Sequence, residues 1–284
     1  MNGEGIKGQS IMKCYIVNLD RAPERMERMA RILKLQSIDF ERLGAIDGRL
    51  FTDDQIEKYR AQREQGKPMT VGEIACAESH IAIFRRIVES ADEYAVVMED
   101  DLHLSSDAGI FINSRAWIPT GADIIKLETV NEPTIVATKA FNLDNDRKLA
   151  RLAFKHWGSG AYVISKAAAR KALQNYVAGL TPIDDYLFDP TVNDFSLWQI
   201  QPAIAIQDII LINGATPQAG YLASGMENGR KVASIAKSKK VGAMARIKRE
   251  SLRFVRKTRR RLTTLWGIRV SRNIERTVIS YRAD

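Results

Sequence analysis

Cysteine is scarce in this 284-residue chain, which has only Cys14 and Cys76. Their spacing is neither that of a disulfide framework nor that of a metal-binding cysteine pair. Each lies in an apolar segment and reads as a small core residue of a reducing compartment. Long apolar runs are missing too, and nothing approaches the roughly 18 consecutive apolar residues of a membrane span. Residues 1–10 are polar and glycine-rich, without the apolar stretch of a secretory leader. The expectation is a cytoplasmic chain whose residues 1–11 form a flexible tail.

Hydrophobic residues at 45% and charged residues at 27% are ordinary for a globular protein and allow a sizeable core. The net charge of +9 is unevenly divided. Residues 226–284 carry 18 Lys+Arg against 4 Asp+Glu, which leaves the rest of the chain mildly acidic. That asymmetry predicts an appended segment that meets a polyanion. Over 243–268 the spacing predicts a helix, with Ile247, Phe254, Leu262, Leu265 and Trp266 near one face and Arg and Lys crowding the remainder. A basic amphipathic helix of this kind suits the surface of an anionic membrane. The alternatives are a solvated helix packed on the body, or a helix neutralising nucleic-acid phosphates. Nucleic acid is not expected as a partner, because the segment has no recognisable base-reading module and the body is acidic.

The body is organised around Tyr94-Ala95-Val96-Val97-Met98-Glu99-Asp100-Asp101. A short, β-branched apolar run predicts a buried strand. It ends in three acids, and carboxylates are rarely buried unless paired or holding a cation. Ligands of open α/β sheets bind at the carboxyl ends of strands. Two readings stay open: a divalent-cation site facing an anionic substrate, or a plain acidic turn.

Around this stretch, residues 12–18 predict a strand, Pro23 suits the first turn of a helix to Leu35, and residues 38–46 predict a second strand. This is the opening of an α/β unit. Its first loop and the start of its helix hold Asn18, Asp20, Arg21 and Arg25, a set suited to a nucleotide or simply to solvent. Thr70 and Glu73 have the form of a capping box for a helix that carries Ser79 and His80. A single helical histidine is either structural or catalytic. Gly158 and Gly160 beside Trp157 predict either a close backbone approach to a ligand or merely a tight bend. Ser165 caps an alanine-rich helix. Asp184 and Asp185 open a short helix, where the helix dipole also favours acids.

Taken in order, five motifs resemble glycosyltransferase family 25, the lipopolysaccharide-biosynthesis glycosyltransferases. They are Ile16-Val17-Asn18-Leu19-Asp20-Arg21 with Arg25, Gly72-Glu73-Ile74-Ala75-Cys76 with Ser79-His80, Glu99-Asp100-Asp101, Gly160-Ala161-Tyr162-Val163-Ile164-Ser165, and Pro182-Ile183-Asp184-Asp185. The resemblance implies an α/β fold: a GT-A-like single domain over 12–225 with a mixed, mostly parallel sheet, followed by the basic helical tail. It also implies inverting transfer of a hexose, galactose or glucose, from a UDP-sugar to a saccharide acceptor in lipopolysaccharide, lipooligosaccharide or a related surface glycan. In its terms Asp101 is a direct ligand of Mn²⁺ or Mg²⁺. Glu99 reaches the cation or the ribose, and Asp100 lies beside them. Asn18, Asp20, Arg21 and Arg25 hold the nucleotide, Ser79 and His80 line its pocket, and Asp184 or Asp185 is the base. The tail would keep the enzyme on the inner face of the cytoplasmic membrane, beside a lipid-linked acceptor.

The chemistry of the residues agrees with these roles. Carboxylates suit hard divalent cations, arginine grips phosphate bidentately, and a carboxylate can take the proton of an attacking hydroxyl. Two features depart from the pattern. Glu99 replaces the first Asp of the usual acidic element, and none of His80, His103 and His156 comes late enough to complete a metal site, which leaves Asp184, Asp208 or water for that place. The rival functions are a glycoside hydrolase with paired carboxylates and an adaptor that binds nucleic acid through its tail.

Overall fold

The computed structural model describes residues 11–62, 68–212 and 273–284. The helix expected over 243–268 and nearly all of the 1–11 tail lie outside the described residues.

The chain opens with β1 (Lys13–Asn18), α1 (Pro23–Leu35) and β2 (Phe40–Gly44), with β2 parallel to β1 as an α/β unit requires. A 3-10 turn and α2 (Asp53–Ala61) lead to α3 (Val71–Glu89). Thr70 starts α3 with the expected capping box: its hydroxyl accepts from Glu73 N, and the Glu73 carboxylate accepts from Thr70 N. Then come β3 (Tyr94–Glu99), β4 (Leu102–Leu104), α4 (Ala108–Ile112), β5 (Ile124–Lys126) and β6 (Glu128–Thr129). The hairpin strands β7 (Pro133–Asn142) and β8 (Lys148–Leu152) precede β9 (Ala161–Ser165) and α5 (Lys166–Asn175). The remaining elements are α6 (Ile183–Phe188), β10 (Leu197–Gln201), β11 (Ala205–Gln207), α7 (Asp208–Ile212) and β12 (Ile274–Val278).

Among the described residues the main sheet has nine strands in the order β12-β7-β8-β10-β5-β9-β3-β1-β2. Six of them point the same way, and β8, β9 and β12 run against them. The expected α/β fold is therefore present, its mixed sheet largely parallel in strand direction and resembling GT-A folds. Its parallel pairings are confined to β1–β2, β1–β3 and β5–β10, because β9 is inserted between β3 and β5. A second sheet, β4-β11-β6, lies beyond the carboxyl end of β3.

The sheet is covered on both faces, so its central strands read as near-continuous apolar runs. On one face Tyr15, Val97 and Tyr162 pack with Phe84 and Ile87 of α3 and Ala168 and Ala172 of α5. On the other, Cys14, Ile16, Val96 and Met98 pack with Met29 and Leu33 of α1 and Phe111 of α4.

The end of the segment predicted as a tail returns to the body. β12 pairs with β7, and the Arg147 guanidinium, fully buried, joins the end of the chain to the interior. Arg147 Nε and Nη2 donate to Asp107 at 2.7 and 2.6 Å, Nη1 donates to the Pro202 carbonyl at 2.7 Å, and Nη2 also reaches the Arg282 carbonyl at 3.3 Å. Burial opposes ionisation of Asp107, but the hydrogen bonds from Arg147 outweigh it and hold the carboxyl down at about 2. Arg147→Met is expected to cost about 3–5 kcal/mol, because it strands a buried carboxylate. Since the folded pKa lies below the unfolded value of about 3.9, the pair stabilises the wild type fully above that pH. The contribution is lost as pH falls toward 2. Urea melts at pH 7 and pH 3 check this: the gap between wild type and variant should narrow at the lower pH.

Candidate active site

The parallel register of β1 and β3 sets Val17 against Glu99, so Asn18 and Asp100 meet just past the strand ends. Asn18 Nδ2 donates to Asp100 Oδ2 at 2.7 Å and to the Ala22 carbonyl at 2.9 Å, while its Oδ1 accepts from Arg42 Nε at 2.9 Å. Arg25, in the first turns of α1, forks across two acids: Nη1 is 3.1 Å from Asp100 Oδ1 and Nη2 is 3.1 Å from Asp101 Oδ2. The second oxygen of Asp101, Oδ1, is buried and has no hydrogen-bond partner among the described residues. Burial, and behind it the charge of Glu99, pushes the Asp101 carboxyl up to about 8 despite Arg25. Burial raises Asp100 as well. Arg25, with Arg28 farther off, does not offset the burial and mutual repulsion of these acids, the condition a bound cation relieves.

Glu99 belongs to a second set of contacts. Its Oε2 accepts from Gln207 Nε2 at 3.0 Å, and its Oε1 accepts from Ser159 Oγ at 3.4 Å. The same Oε1 is 3.7 Å from His80 Nε2 and 3.9 Å from Cys76 Sγ. Burial works against its charge, but the neighbouring His80, with Arg25 and Ser159 behind it, holds Glu99 below the ordinary carboxylate range. His80 Nδ1 is 2.7 Å from the Tyr162 hydroxyl. Cys76 and His80 are four residues apart on α3, so they share one face.

The floor of the site is a buried ion pair. Lys126 Nζ is 3.0 Å from Glu128 Oε1, and both side chains are fully buried. Lys126 also donates to the Gly158 carbonyl, and Glu128 Oε1 accepts from Gly160 N at 2.6 Å. Gly158 has φ +93°, and a Cβ added at Gly160 would meet Glu128 Oε2 at 2.7 Å. The tight bend is thus present, and the close approach seen at Gly160 is to the Glu128 side chain. Gly158 N in turn donates to Asp184 Oδ2 at 3.1 Å.

The predicted site residues fall into two groups. Asn18, Arg25, Asp100, Asp101, Glu99 and His80 converge at the ends of β1 and β3, and the Gly158 backbone links Asp184 to the floor. The others are engaged elsewhere. Asp20 pairs with Arg42 on the surface, Arg21 Nε is 3.0 Å from Asp47, and Asp185 pairs with Lys155. The Ser79 hydroxyl donates to the Ala75 carbonyl at 2.7 Å and accepts from Ile46 N at 2.9 Å, tying α3 to the loop after β2. His156 is buried against Gln199 at 2.8 Å, and burial holds it neutral, down at about 3. His103 Nε2 is 2.6 Å from Asp208 Oδ1, and Asp208 N donates to the Asp101 carbonyl at 2.8 Å.

Sequence reasoning does not single out Cys76, Ser159 or Gln207. Cys76 reads as an isolated core thiol when only cysteine pairs are considered. The signal that was available is its four-residue spacing from His80 on one helix. Ser159 and Gln207 reach Glu99 only through tertiary contacts.

A family model described as Glycosyltransferase family 25 (LPS biosynthesis protein) matches residues 11–187. Lipooligosaccharide biosynthesis protein lex-1 of Haemophilus influenzae is 30% identical over 206 residues, 67% of this chain and 66% of that one. Lacto-N-neotetraose biosynthesis glycosyltransferase LgtE of Neisseria meningitidis serogroup B is 26% identical over 216 residues, 70% and 75% of the two chains. Procollagen galactosyltransferase 2 of Mus musculus is 25% identical over 188 residues, 61% of this chain and 29% of that one. The chain thus spans about two thirds to three quarters of these bacterial relatives and under a third of the mouse one. Among solved structures, a glycosyltransferase involved in glycosylation of the major capsid of PBCV-1 aligns with 80% of this chain and 100% of its own at 9% identity. Its TM-score of 0.38 is too slight a likeness to carry an argument.

Proposed function

The chain belongs to glycosyltransferase family 25, and from that premise we propose that it moves galactose or glucose, with inversion, from a UDP-sugar to a saccharide of lipopolysaccharide or lipooligosaccharide. The observation that carries this reading is the unpartnered, buried Oδ1 of Asp101 beside Glu99 and the Arg25 fork. The names of the bacterial relatives point to surface-glycan acceptors, and the name of the mouse relative to galactose.

The oxygen donors of Asp101 and Glu99 fit a hard cation such as Mn²⁺ or Mg²⁺, and the orphaned Asp101 oxygen is the position it would take. Bound there, it supplies Lewis-acid stabilisation of charge on the departing UDP. The protein's own residues divide the rest of the work. Arg25 keeps Asp100 and Asp101 aligned and offsets part of their charge. Asn18 fixes Asp100, while Asp20 and Arg21, paired with Arg42 and Asp47, would have to exchange those partners to meet the nucleotide. Asp184 takes the proton of the acceptor hydroxyl, since its Oδ2 faces the Gly158 turn over the floor of the site. Asp185 is held by Lys155 and supports the first turn of α6.

No described helix is long and apolar enough to cross a membrane. The surplus of 18 basic over 4 acidic residues across 226–284 supports attachment to an anionic membrane surface, here assigned to the inner face of the cytoplasmic membrane.

The test is a panel of UDP- and GDP-sugars offered to wild type and Asp184→Asn, with and without Mn²⁺. Metal-dependent binding of one UDP-hexose is expected in both. Transfer in the variant should fall about 10²–10⁴-fold, the usual worth of a general base. If no nucleotide sugar binds under any metal condition, the donor-site assignment is abandoned. Undiminished transfer by Asp184→Asn removes that residue as the base.

A further inference from the structure

We propose that Cys76, His80 and Glu99 form a second cation site, one for a thiophilic divalent ion of the zinc class, which shares Glu99 with the donor site. One donor atom from each of the three side chains lies within 4.8 Å of the other two. Among the described residues this is the one group of three or more such side chains so arranged. Ligands at 2.0–2.3 Å from a tetrahedral zinc stand roughly 3.5 Å from one another. His80 Nε2 and Cys76 Sγ already stand 3.7 and 3.9 Å from Glu99 Oε1.

The second observation is His80 itself. It is 1% exposed, and its Nε2 has no hydrogen-bond partner among the described residues. Its Nδ1 is held by the Tyr162 hydroxyl at 2.7 Å, and the Tyr162 ring stacks on the imidazole at 5.7 Å between centroids. In the tautomer whose Nδ1–H donates to Tyr162, Nε2 turns its lone pair toward Glu99. A histidine oriented through its other nitrogen is the usual support of a metal-ligating imidazole.

The donor set decides the class of ion. Sulfur, imidazole and one carboxylate favour zinc-like ions, whereas Mn²⁺ and Mg²⁺ prefer oxygen. The fourth position falls to water or to the Ser159 hydroxyl, which is 3.4 Å from the same Glu99 oxygen. The half-buried thiol enters as S–H, so binding forms the metal–sulfur bond and releases one proton to solvent. Occupancy draws Glu99 Oε1 toward α3 and away from Asp101, so zinc-class ions oppose the Mn²⁺-supported reaction.

The inference does not depend on which sugar, if any, the protein transfers, and its readout is binding. Metal-free protein is titrated with Co²⁺ as a spectroscopic substitute for zinc. A thiolate-to-cobalt charge-transfer band saturating at one equivalent is expected, and Zn²⁺ should abolish it. Cys14→Ala leaves Cys76 as the sole thiol, so the band must persist unchanged in that variant. Tyr162→Phe should weaken Co²⁺ affinity about 10–100-fold, the usual loss when the partner of a ligating histidine is removed. No charge-transfer band in wild type, or a band that vanishes in Cys14→Ala while that variant melts normally, overturns the proposal. UDP-sugar binding with Mn²⁺, measured on the same protein, reports separately on the donor site.

Discussion

Asp101→Asn is expected to lower UDP-sugar turnover about 10²–10³-fold, the scale on which one preorganised charge-stabilising group acts, while the metal-free protein melts no lower than wild type. The two halves have one cause. Asn retains an oxygen that accepts from Arg25, but it lacks the charge that a cation would meet. In the metal-free protein that charge is a burden: burial and the neighbouring Glu99 push the Asp101 carboxyl up to about 8, far above the unfolded value near 3.9. Between those values the folded chain holds a proton the unfolded chain releases, so wild-type stability falls as pH rises from about 4 to about 8. The variant escapes that fall, and its advantage should widen with pH up to about 8 and then level off. Paired thermal melts at pH 6 and pH 9, with turnover assayed alongside, check both parts. Full activity in the variant, or a loss of stability that matches its loss of activity, would sink the assignment of Asp101 as a functional acid.

Such a residue is visible in sequence because it breaks a local pattern. The strand from Tyr94 is predicted by four consecutive buried apolar residues, and the acids that end it cannot belong to the same core. Local rules also carried α3, whose capping box needs only residues three apart, and α5, which Ser165 caps by accepting from Ala168 N. What the sequence hid are features built from distant partners. β4, β6 and β11 are two or three residues long, too short to show a period, and they pair across 77 to 105 residues of chain. β12 lies in a segment whose charge dominates its composition, yet it completes the edge of the main sheet beside β7. The candidate site divides in the same way. Asn18, Arg25, Glu99 and Asp101 follow from motif and strand end. The choice of Lys155 for Asp185, or of Arg42 for Asp20, is made by tertiary packing alone.

The buried floor offers the other large expected effect. Lys126→Met should cost about 3–5 kcal/mol, because it leaves Glu128 charged and unpaired in a site closed to water. At 2–4 °C per kcal/mol for a domain of this size, the melting temperature should drop by about 10 °C. Glu128→Gln keeps an oxygen for Gly160 N and removes the charge, so the double variant should be less damaged than the sum of the singles, by about 1–3 kcal/mol. A functional consequence follows from the same contacts. Lys126 holds the Gly158 carbonyl, and the amide of that glycine holds Asp184. Loosening this chain displaces the proposed base while leaving Asp101 and Arg25 in place. The transfer rate should therefore fall in Lys126→Met with little change in the KM for donor, measured well below the variant's melting temperature. Strict additivity in the double variant would mean that Lys126 and Glu128 act independently. A raised donor KM at an unchanged rate would mean that the floor supports the nucleotide rather than Asp184.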